Sequence, residues 1–343
     1  MRDGAAGTKR FSPRMNSPFF GASPAFRLIR AGLALFAASV SGLVGSALAA
    51  DTMTVPGLNL SLVKLQPGTF TLGHVDGYPG SSPDEKPATK VTFSKGFWLG
   101  ATEVTVAQWR HFITTSGYIT TAERSGDGIW VSTLNNGVEK RERIPGLSWR
   151  SPGFATADNH PVVGISWQDA QQFCRWLTER EGSAGRLPAG YVYRLPTESQ
   201  WEYAARAGTT DDLADATEFA WYRQNSGGVV HPVGTKKANG WGLHDMQGNV
   251  WEWVHDWYGR YPGGEVTDYE GPPSANDRSV LRPHRERRGG WMNDPGGHGI
   301  MTTNRWSSWG QDECNWIGFR IALSTIAPPP PPAAPGPGAA KKK

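Results

Sequence analysis

The chain has 343 residues and a formal charge of +4, with 16 tryptophans, 43 glycines and only 19% charged residues. This composition disfavours a helical bundle and indicates one aromatic-rich, loop-rich α+β domain with short helices and little regular sheet. Its two cysteines, Cys174 and Cys314, are too few for a disulfide framework.

The first 50 residues are predicted to be a signal peptide. A basic segment, opposed only by Asp3, precedes an apolar run of small residues from Ala31 to Ala50. Ala47-Leu48-Ala49 fits a cleavage site of the small-x-small type, which places the cut after its last residue or after the next one. Met15 is an alternative start, and an uncleaved anchor is the alternative interpretation. We therefore expect an exported protein, periplasmic or secreted.

Cleavage of the leader would change the charge of the chain. Six basic residues and one acidic residue leave with it, so the formal charge falls from +4 to −1. A basic footprint for nucleic acid is then missing from the mature protein. No Pro/Gly/Ser linker separates two hydrophobic patterns, so residues 51–326 are predicted to form a single domain.

Two helices are predicted in the first half of this domain. Residues 105–116 place apolar side chains on one helical face, with a threonine cap and Gly117 as the stop. Residues 166–177 begin with a serine cap and continue the same periodicity. Cys174 falls on the buried face of this second helix, where a structural thiol is expected rather than a nucleophile.

A third helix follows, and short strands flank the helices. Thr197 forms a capping box with Gln200, and Gly208 ends this helix. β-branched and aromatic residues predict strands over 90–93, 96–99 and 319–323. Four arginines are expected to be buried or stacked among tryptophans rather than catalytic: Arg194, Arg206, Arg305 and Arg320.

Residues 327–343 form a proline-rich tail that ends in three lysines. The five prolines from Pro328 to Pro332 predict an extended, solvated polyproline segment. The lysines could make a weak contact with anionic lipid or cell-wall polymer, or they could serve only to keep the chain soluble.

The segment 242–253 combines two glycines, two carboxylates and two indoles in twelve residues. Gly248 permits a backbone turn that a bulky residue could not adopt. Asp245 and Glu252 supply hard oxygen ligands of the kind that calcium prefers. The segment is therefore interpreted as an ion-stabilised loop.

Five further motifs accompany this segment in a fixed order along the chain. They are Glu103-Val104-Thr105, His160–Ala170, Arg194–Arg206, Arg288-Gly289-Gly290 and Gly318-Phe319-Arg320. With the segment 242–253 they resemble the formylglycine-generating enzyme family, also called the sulfatase-modifying factor family, over roughly residues 60–325. The resemblance implies the formylglycine-generating enzyme fold, which is similar to an elaborated C-type lectin domain.

The resemblance also implies a structural calcium ion in the segment 242–253. Its ligands would be the side chains of Asp245 and Glu252 and the carbonyl oxygens of Gly248 and Val250. The alternative is that the two carboxylates accept hydrogen bonds from backbone amides or pair with an arginine.

Copper, in contrast, is not expected. Copper-using members of the family bind copper(I) through two cysteines, five positions apart, after the Arg-Gly-Gly motif. Soft thiolates select this ion. An ungapped match here places Asp294 and Gly299 at the two positions, and neither residue binds copper(I) well.

The segment after Arg-Gly-Gly lines the substrate groove in the resembled family. Trp291 and Asn293 are therefore predicted to bind substrate, and Asp294 and His298 are a candidate acid/base pair. The alternative is that residues 293–297 form only a turn, for which their residue types are well suited.

Other site classes are not indicated. The histidines lack the spacing of a zinc or iron site, and no phosphate-binding glycine loop precedes a helix. The sulfoxide synthase branch is disfavoured because its iron-binding histidine pattern is missing.

Two functions stay open. The chain could be an oxidative modifier of a peptide or small thiol-like substrate, similar to a periplasmic branch that acts in pyoverdine maturation without the copper cysteines. The alternative is a non-catalytic, lectin-like module that binds a peptide or glycan.

Overall fold

The computed structural model describes residues 51–74, 82–135, 138–209 and 216–325. The predicted leader over 1–50 and the predicted tail over 327–343 lie outside the described residues. The strands of the described ranges are β1 (Thr52–Val55), β2 (Leu60–Leu65), β3 (Gly68–Leu72), β4 (Thr89–Phe93), β5 (Phe97–Gly100), β6 (Ile129–Asn135), β7 (Val138–Ile144), β8 (Tyr191–Arg194), β9 (Trp251–Gly259), β10 (Gly264–Thr267), β11 (Val280–Arg288), β12 (Arg305–Ser308), β13 (Ile317–Gly318) and β14 (Ala322–Thr325). The helices are α1 (Val106–Ser116), α2 (Thr121–Ser125), α3 (Trp167–Ser183), α4 (Glu198–Arg206) and α5 (Ala216–Phe219), with 3-10 turns at Pro83–Glu85 and Gly297–Ile300.

The strands of the described residues form four sheets. The largest has the order β1-β2-β5-β14-β8, and a second has the order β12-β11-β9-β13. A three-stranded sheet β10-β4-β3 and the hairpin β6-β7 complete the set. The α+β class and the loop-rich character are confirmed. The expectation of little regular sheet is wrong, because the described residues form a five-stranded and a four-stranded sheet besides the two smaller ones. Within the described ranges, no helix has the length and the apolar character needed to cross a membrane.

The three predicted helices are confirmed as α1, α3 and α4. Each starts where a hydroxyl accepts a backbone N–H: Thr105, Ser166 and Thr197 do so at 3.3, 3.1 and 3.0 Å. The second helix is longer than predicted and ends at Ser183. Ala207 closes α4 in the left-handed conformation, with φ of 48°, one residue before the predicted glycine. The capping hydroxyls therefore predicted the helix starts more accurately than the glycines predicted the helix ends.

The two predicted N-terminal strands are confirmed as β4 and β5, but the bounds predicted for the strand over 319–323 are wrong. The ladder begins only at β14, three residues later. Before it, the carbonyl oxygen of Ile321 accepts the N–H of Gly100 at 2.8 Å, and the side chain of Arg320 reaches Glu252. This tertiary pairing takes residues 319–321 out of the regular ladder.

Stacked aromatic rings form the centre of the core between α1 and α3. Trp109 and Phe112 of α1 pack against Phe173 of α3, with ring centroids 5.8 and 5.5 Å apart. Phe319 joins them at 5.5 Å from Phe173. The neighbouring Cys174 is 2% exposed, which confirms its predicted place in the core. Large buried rings of this kind dominate core energetics.

A second part of the interior is ionic. Glu198 and Glu202 of α4 are buried, and each holds a buried arginine from the sheet β12-β11-β9-β13. The guanidinium of Arg305 donates from Nε to Glu198 at 2.6 Å, and that of Arg288 donates to Glu202. These pairs fasten α4 to the sheet that carries the Arg-Gly-Gly motif.

The four arginines expected to be buried or stacked among tryptophans have carboxylate partners. Arg194, Arg305 and Arg320 are buried, as expected, and Arg206 is half-buried. Arg320 pairs with Glu252 at 2.7 Å and Arg206 with Glu202 at 2.8 Å, and Arg305 and Arg194 also pair with glutamates. The indole stacking is made by a different residue. Arg285 lies between the rings of Trp167 and Trp257, at 3.6 and 3.5 Å from their centroids.

We expect Arg320→Met to lower the free energy of unfolding by about 3 to 5 kcal/mol, because Glu252 would be left buried without its cation. Urea denaturation of the purified protein measures this loss. The double variant Arg320→Met with Glu252→Gln should recover part of it, since a neutral amide can still accept from Trp201. Equal losses in the single and double variants would contradict the role of the ion pair.

Candidate functional site

The turn at Gly248 joins the segment 242–253 to the Arg-Gly-Gly motif. Gly248 has φ of +76°, and a Cβ built on it would lie 2.2 Å from the carbonyl oxygen of Trp221, so only glycine fits. Its N–H donates to the carbonyl oxygen of Gly289 at 2.7 Å, and the N–H of Asn249 donates to Trp221 at 2.7 Å. The predicted backbone turn is therefore also a contact point between three parts of the chain.

Asn249 extends this junction, and the sequence analysis did not single it out. Its amide Nδ2 donates to Glu103 at 2.9 Å, and its Oδ1 accepts the N–H of His231 at 3.0 Å. Its backbone carbonyl accepts the N–H of Met292 at 2.9 Å. The segment 242–253 thus holds the start of the loop that follows Arg-Gly-Gly.

Glu252 is engaged by protein groups through both carboxylate oxygens. Arg320 donates to each of them at 2.7 Å, and the indole Nε1 of Trp201 donates at 2.8 Å. This is the arginine pairing named above as the alternative to calcium. These three donors leave one lone pair, on Oε1, for a further ligand.

Asp245 is placed differently. Its Oδ2 accepts the N–H of Gly234 at 2.7 Å, while its Oδ1 is buried and has no hydrogen-bond partner. Burial raises the pKa of Asp245, and burial together with the nearby charge of Asp245 raises the pKa of Glu103 well above its usual range. Negative charge is in excess here, which a proton or a cation would offset. Calcium at this segment stays a prediction.

The Arg-Gly-Gly motif ends strand β11 and begins the loop 291–299. Arg288 is fully buried and donates to the carbonyl oxygens of Thr303 and Asn304 at 2.6 and 2.7 Å, besides its pair with Glu202. Gly290 has φ of +76°, and a Cβ there would lie 2.6 Å from the carbonyl oxygen of Gly299. The glycine lets the loop fold back closely on the strand.

A cavity of about 650 Å³ lies beside this loop. Its inner wall includes the predicted residues Trp291, Asn293, Asp294 and His298, together with Trp251 and Arg287. Its outer wall includes Glu139 and Arg141 of the hairpin β6-β7 and residues 82–84. All four residues predicted for the substrate groove therefore line one cavity.

Asp294 and the position of Gly299 are adjacent in space. A Cβ built on Gly299 would lie 2.8 Å from Asp294 Oδ1. Two side chains at these positions would therefore converge, as two ligands of one ion must. The ungapped match of the copper-binding positions to 294 and 299 is geometrically sound, and this chain places a carboxylate and a glycine there.

The carboxylate of Asp294 also organises its own turn. Asp294 Oδ2 accepts the N–H of Trp291 at 2.8 Å, and the N–H of Asp294 donates to the carbonyl oxygen of Trp291 at 3.0 Å. The turn named as the alternative reading of residues 293–297 is thus partly present. Burial raises the pKa of Asp294 to about 7. The group can accept or release a proton near neutral pH.

His298 has a carboxylate partner, but that partner is Glu85. The two side chains are 2.5 Å apart, between His298 Nε2 and Glu85 Oε1. Glu85 is fully buried and also lies 3.2 Å from His74 Nδ1. The structure therefore brings Asp294 and His298 to one cavity without a hydrogen bond between them in the described residues. Sequence reasoning could not find Glu85, which lies 213 positions from His298.

Trp291 and Asn293 form part of the cavity floor. Trp291 is 5% exposed and lies 5.7 Å from the ring of Trp316. Asn293 Oδ1 is buried without a hydrogen-bond partner, while its backbone carbonyl accepts from Arg223 Nε at 2.8 Å. A buried acceptor without a donor is costly, so the side chain of Asn293 has an unmet hydrogen-bonding requirement in this structure.

The described residues contain no group of three or more histidine, cysteine, aspartate or glutamate side chains arranged to hold a metal ion. Cys174 and Cys314 are both buried and free, and neither is part of the cavity lining described above. Burial raises the pKa of both thiols. Each therefore behaves as an apolar side chain rather than as a thiolate.

Comparison with known proteins agrees with this geometry. A family model described as "Sulfatase-modifying factor enzyme 1-like domain" matches residues 50–325. The chain belongs to this family. The mouse formylglycine-generating enzyme is 32% identical over 288 residues, which are 69% of this chain and 73% of that protein. The corresponding enzyme of Mycobacterium tuberculosis is 34% identical over 56% of this chain and 73% of its own length.

Relatives of other kinds also match. The mouse protein named inactive C-alpha-formylglycine-generating enzyme 2 is 28% identical over 78% of this chain and 87% of its own length. Among solved structures, PvdO from Pseudomonas aeruginosa superposes with a TM-score of 0.61 at 25% identity, over 79% of this chain and 97% of PvdO. Treponema denticola variable protein 1 shares the fold, with a TM-score of 0.58 at 24% identity and coverage of 79% and 98%. The fold predicted from the resemblance is confirmed.

We expect Asp294→Asn to change how stability depends on pH. The folded-state pKa of about 7 lies above the ordinary value, so Asp294 stabilises the fold below about pH 4 and loses this contribution as pH rises to about 7. The amide can still accept from Trp291. The variant should therefore gain stability relative to the wild type as pH rises through this window, measured by urea denaturation at several pH values.

Asp127→Asn is the matched control for this experiment, because Asp127 is exposed and lies outside the cavity lining. Parallel pH profiles for the wild type and Asp294→Asn would show that Asp294 titrates normally and would contradict its proposed proton-holding role.

We further expect the double variant Asp294→Cys with Gly299→Cys to bind one copper(I) ion. The backbone at Gly299 lies outside the left-handed region, and its close contact is the carboxylate that the first substitution removes. Two adjacent thiolates select copper(I). Competition with a chromophoric copper(I) chelator measures the affinity. Each single cysteine variant is the control, and equal affinity of a single and the double variant would contradict convergence of the two positions.

Proposed function

We propose that this chain is an exported, copper-independent member of the formylglycine-generating enzyme superfamily that oxidises a peptide-derived substrate. The observation that carries the proposal is the pairing of Asp294 with Gly299 at the two converging positions beside the cavity. A carboxylate is a poor ligand for copper(I) but a competent proton acceptor. In this proposal the cavity is still the substrate site, but the chemistry beside it does not use copper(I).

The electron balance of this proposal needs an acceptor, for which we propose dioxygen. The substrate loses two electrons and two protons, and dioxygen gains them to become hydrogen peroxide. Asp294 takes up one of the two protons, since its pKa of about 7 leaves a substantial fraction ionised at neutral pH.

The dimensions and lining of the cavity support a small ligand. Its volume of about 650 Å³ lies within the usual range for small-molecule sites. Trp251 and Trp291 provide apolar surface, Trp306 is 53% exposed at its rim, and Asn293 offers an unused acceptor. A peptide fragment or a modified amino acid fits such a lining better than a folded domain.

The relatives support an enzymatic function, but they are also compatible with a second, non-catalytic function. The mouse and Mycobacterium tuberculosis relatives are named formylglycine-generating enzymes, whereas another mouse relative is named as inactive. One observation favours a non-catalytic module that binds a peptide or glycan. Asp294 and His298 already have protein partners, Trp291 and Glu85, which would stabilise a turn without any catalysis.

Oxygen consumption separates the two functions. We expect the purified protein, supplied with a low-molecular-mass peptide extract of its source cells, to consume dioxygen and yield a product lighter by two hydrogens. Asp294→Ala should slow this reaction about a hundredfold or more, the usual loss for a general base. Asp127→Ala should not. An oxygen electrode and mass spectrometry provide the two readouts.

A copper(I) chelator should leave the rate unchanged. Loss of activity with the chelator would overturn copper independence, and a retained but unaltered ligand without oxygen consumption would favour the binding module.

Export is tested separately by cell fractionation. The mature protein should be found outside the cytoplasm and begin at Ala50 or Asp51.

A further inference from the structure

Arg287 and Arg288 are consecutive residues of β11 whose side chains lie on opposite faces of the sheet. Successive side chains of a strand point to opposite faces of the sheet. Arg288 faces α4 and pairs with Glu202. Arg287 faces the other way, lines the cavity, and lies 4.9 Å from the ring centroid of Trp251. The first arginine is therefore part of the core, and the second is part of the cavity wall.

Arg287 is buried without an ion-pair partner among the described residues. It is 3% exposed, and its Nε and Nη1 atoms have no hydrogen bond. Among the described residues no carboxylate forms an ion pair with it, whereas Arg288, Arg305 and Arg320 each have at least one. Burial lowers the pKa of Arg287 to about 10, so the group stays positively charged at neutral pH.

A buried charge without a counter-ion is costly to a folded protein, which normally pairs such groups. The acidic groups of the cavity wall are already used. Asp84 accepts from Tyr258 at 2.5 Å, and Glu139 pairs with Arg141 at 2.6 Å. Asp294 accepts from the backbone of Trp291. None of these carboxylates forms an ion pair with Arg287, although the charges of Asp294 and Asp312 act on it from a greater distance. Direct contact with a carboxylate is therefore left open for a ligand.

We propose that Arg287 binds a carboxylate group of the ligand. A guanidinium matches a planar carboxylate through two parallel hydrogen bonds. One buried cation balances one negative charge, which favours a monoanionic carboxylate over a dianionic phosphate. The indoles of Trp251 and Trp291 flank the same space, so the ligand class is an acidic or carboxyl-terminal amino-acid unit with an apolar part. The inference rests on the proposed use of this cavity as the substrate site.

A matched pair of probes isolates the charge. N-acetyltryptophan and N-acetyltryptophan amide differ only in whether the carboxyl group is free. We expect the full-length protein to bind the acid at least about tenfold more tightly than the amide, as charge-assisted hydrogen bonds imply. Isothermal titration measures both affinities. Arg287→Met should abolish the difference, and Arg260→Met should keep it, because Arg260 is exposed and outside the cavity lining.

Stability to urea provides a second readout, which distinguishes an arginine that binds a ligand from one that only supports the fold. Removing a buried charge that has no ion-pair partner should leave the midpoint of urea denaturation unchanged or raise it. Arg288→Met should lower the midpoint, because Glu202 would lose its fully buried partner and keep only Arg206. A lowered midpoint in Arg287→Met would show that the group has a structural partner, and this would overturn the proposal.

The remaining outcomes are equally decisive. Equal affinity for acid and amide, failure to bind either, or discrimination that persists in Arg287→Met would each overturn the carboxylate site. Tighter binding of sulfate or phosphate than of acetate would assign Arg287 to a tetrahedral oxyanion instead. None of these measurements depends on oxygen consumption. Carboxylate binding without turnover would therefore refute the oxidative function alone, and turnover without discrimination would refute the role of Arg287 alone.

Discussion

Buried pairing between arginine and glutamate is the constraint on which the site depends. The two glutamates of α4 hold Arg288 and Arg305 from neighbouring strands, and Glu252 of β9 holds Arg320. Each partner is almost inaccessible to water, so the loss of either one weakens the compensation of a buried charge. Because Arg288 begins the Arg-Gly-Gly motif, this ionic interior determines where the loop 291–299 starts. The cavity is positioned by the core beneath it.

The same constraint explains why Arg287 is exceptional. The interior pairs its other large cations with carboxylates or places them between aromatic rings, as it does with Arg285. At Arg287 the chain keeps a guanidinium at the cavity wall and supplies only the face of Trp251. Among the described arginines that line the cavity, Arg287 is the one that is buried and has no carboxylate partner, and this links the architecture of the core to the chemistry of the cavity.

The sequence predicted local features well because local rules govern them. Hydroxyl caps located the starts of three helices, and the spacing after Arg-Gly-Gly placed four residues on one cavity wall. It did not reveal partners that come from distant parts of the chain. Glu85 pairs with His298, and Glu252 pairs with Arg320. Periodicity cannot predict such pairs. The doublet Arg287-Arg288 did contain a signal, because alternation along a strand must send one of the two away from the core.

The two walls of the cavity differ in how strongly the surrounding residues constrain them. The inner wall is fixed through Arg288 and Asn249, while the outer wall includes β7, whose residues are exposed or half-buried along its length. Substitutions at the exposed lining positions of β7, Glu139 and Arg141, therefore carry little thermodynamic cost and would alter the shape and charge of this wall. The lining of the cavity can therefore diverge at this rim while the scaffold beneath it persists.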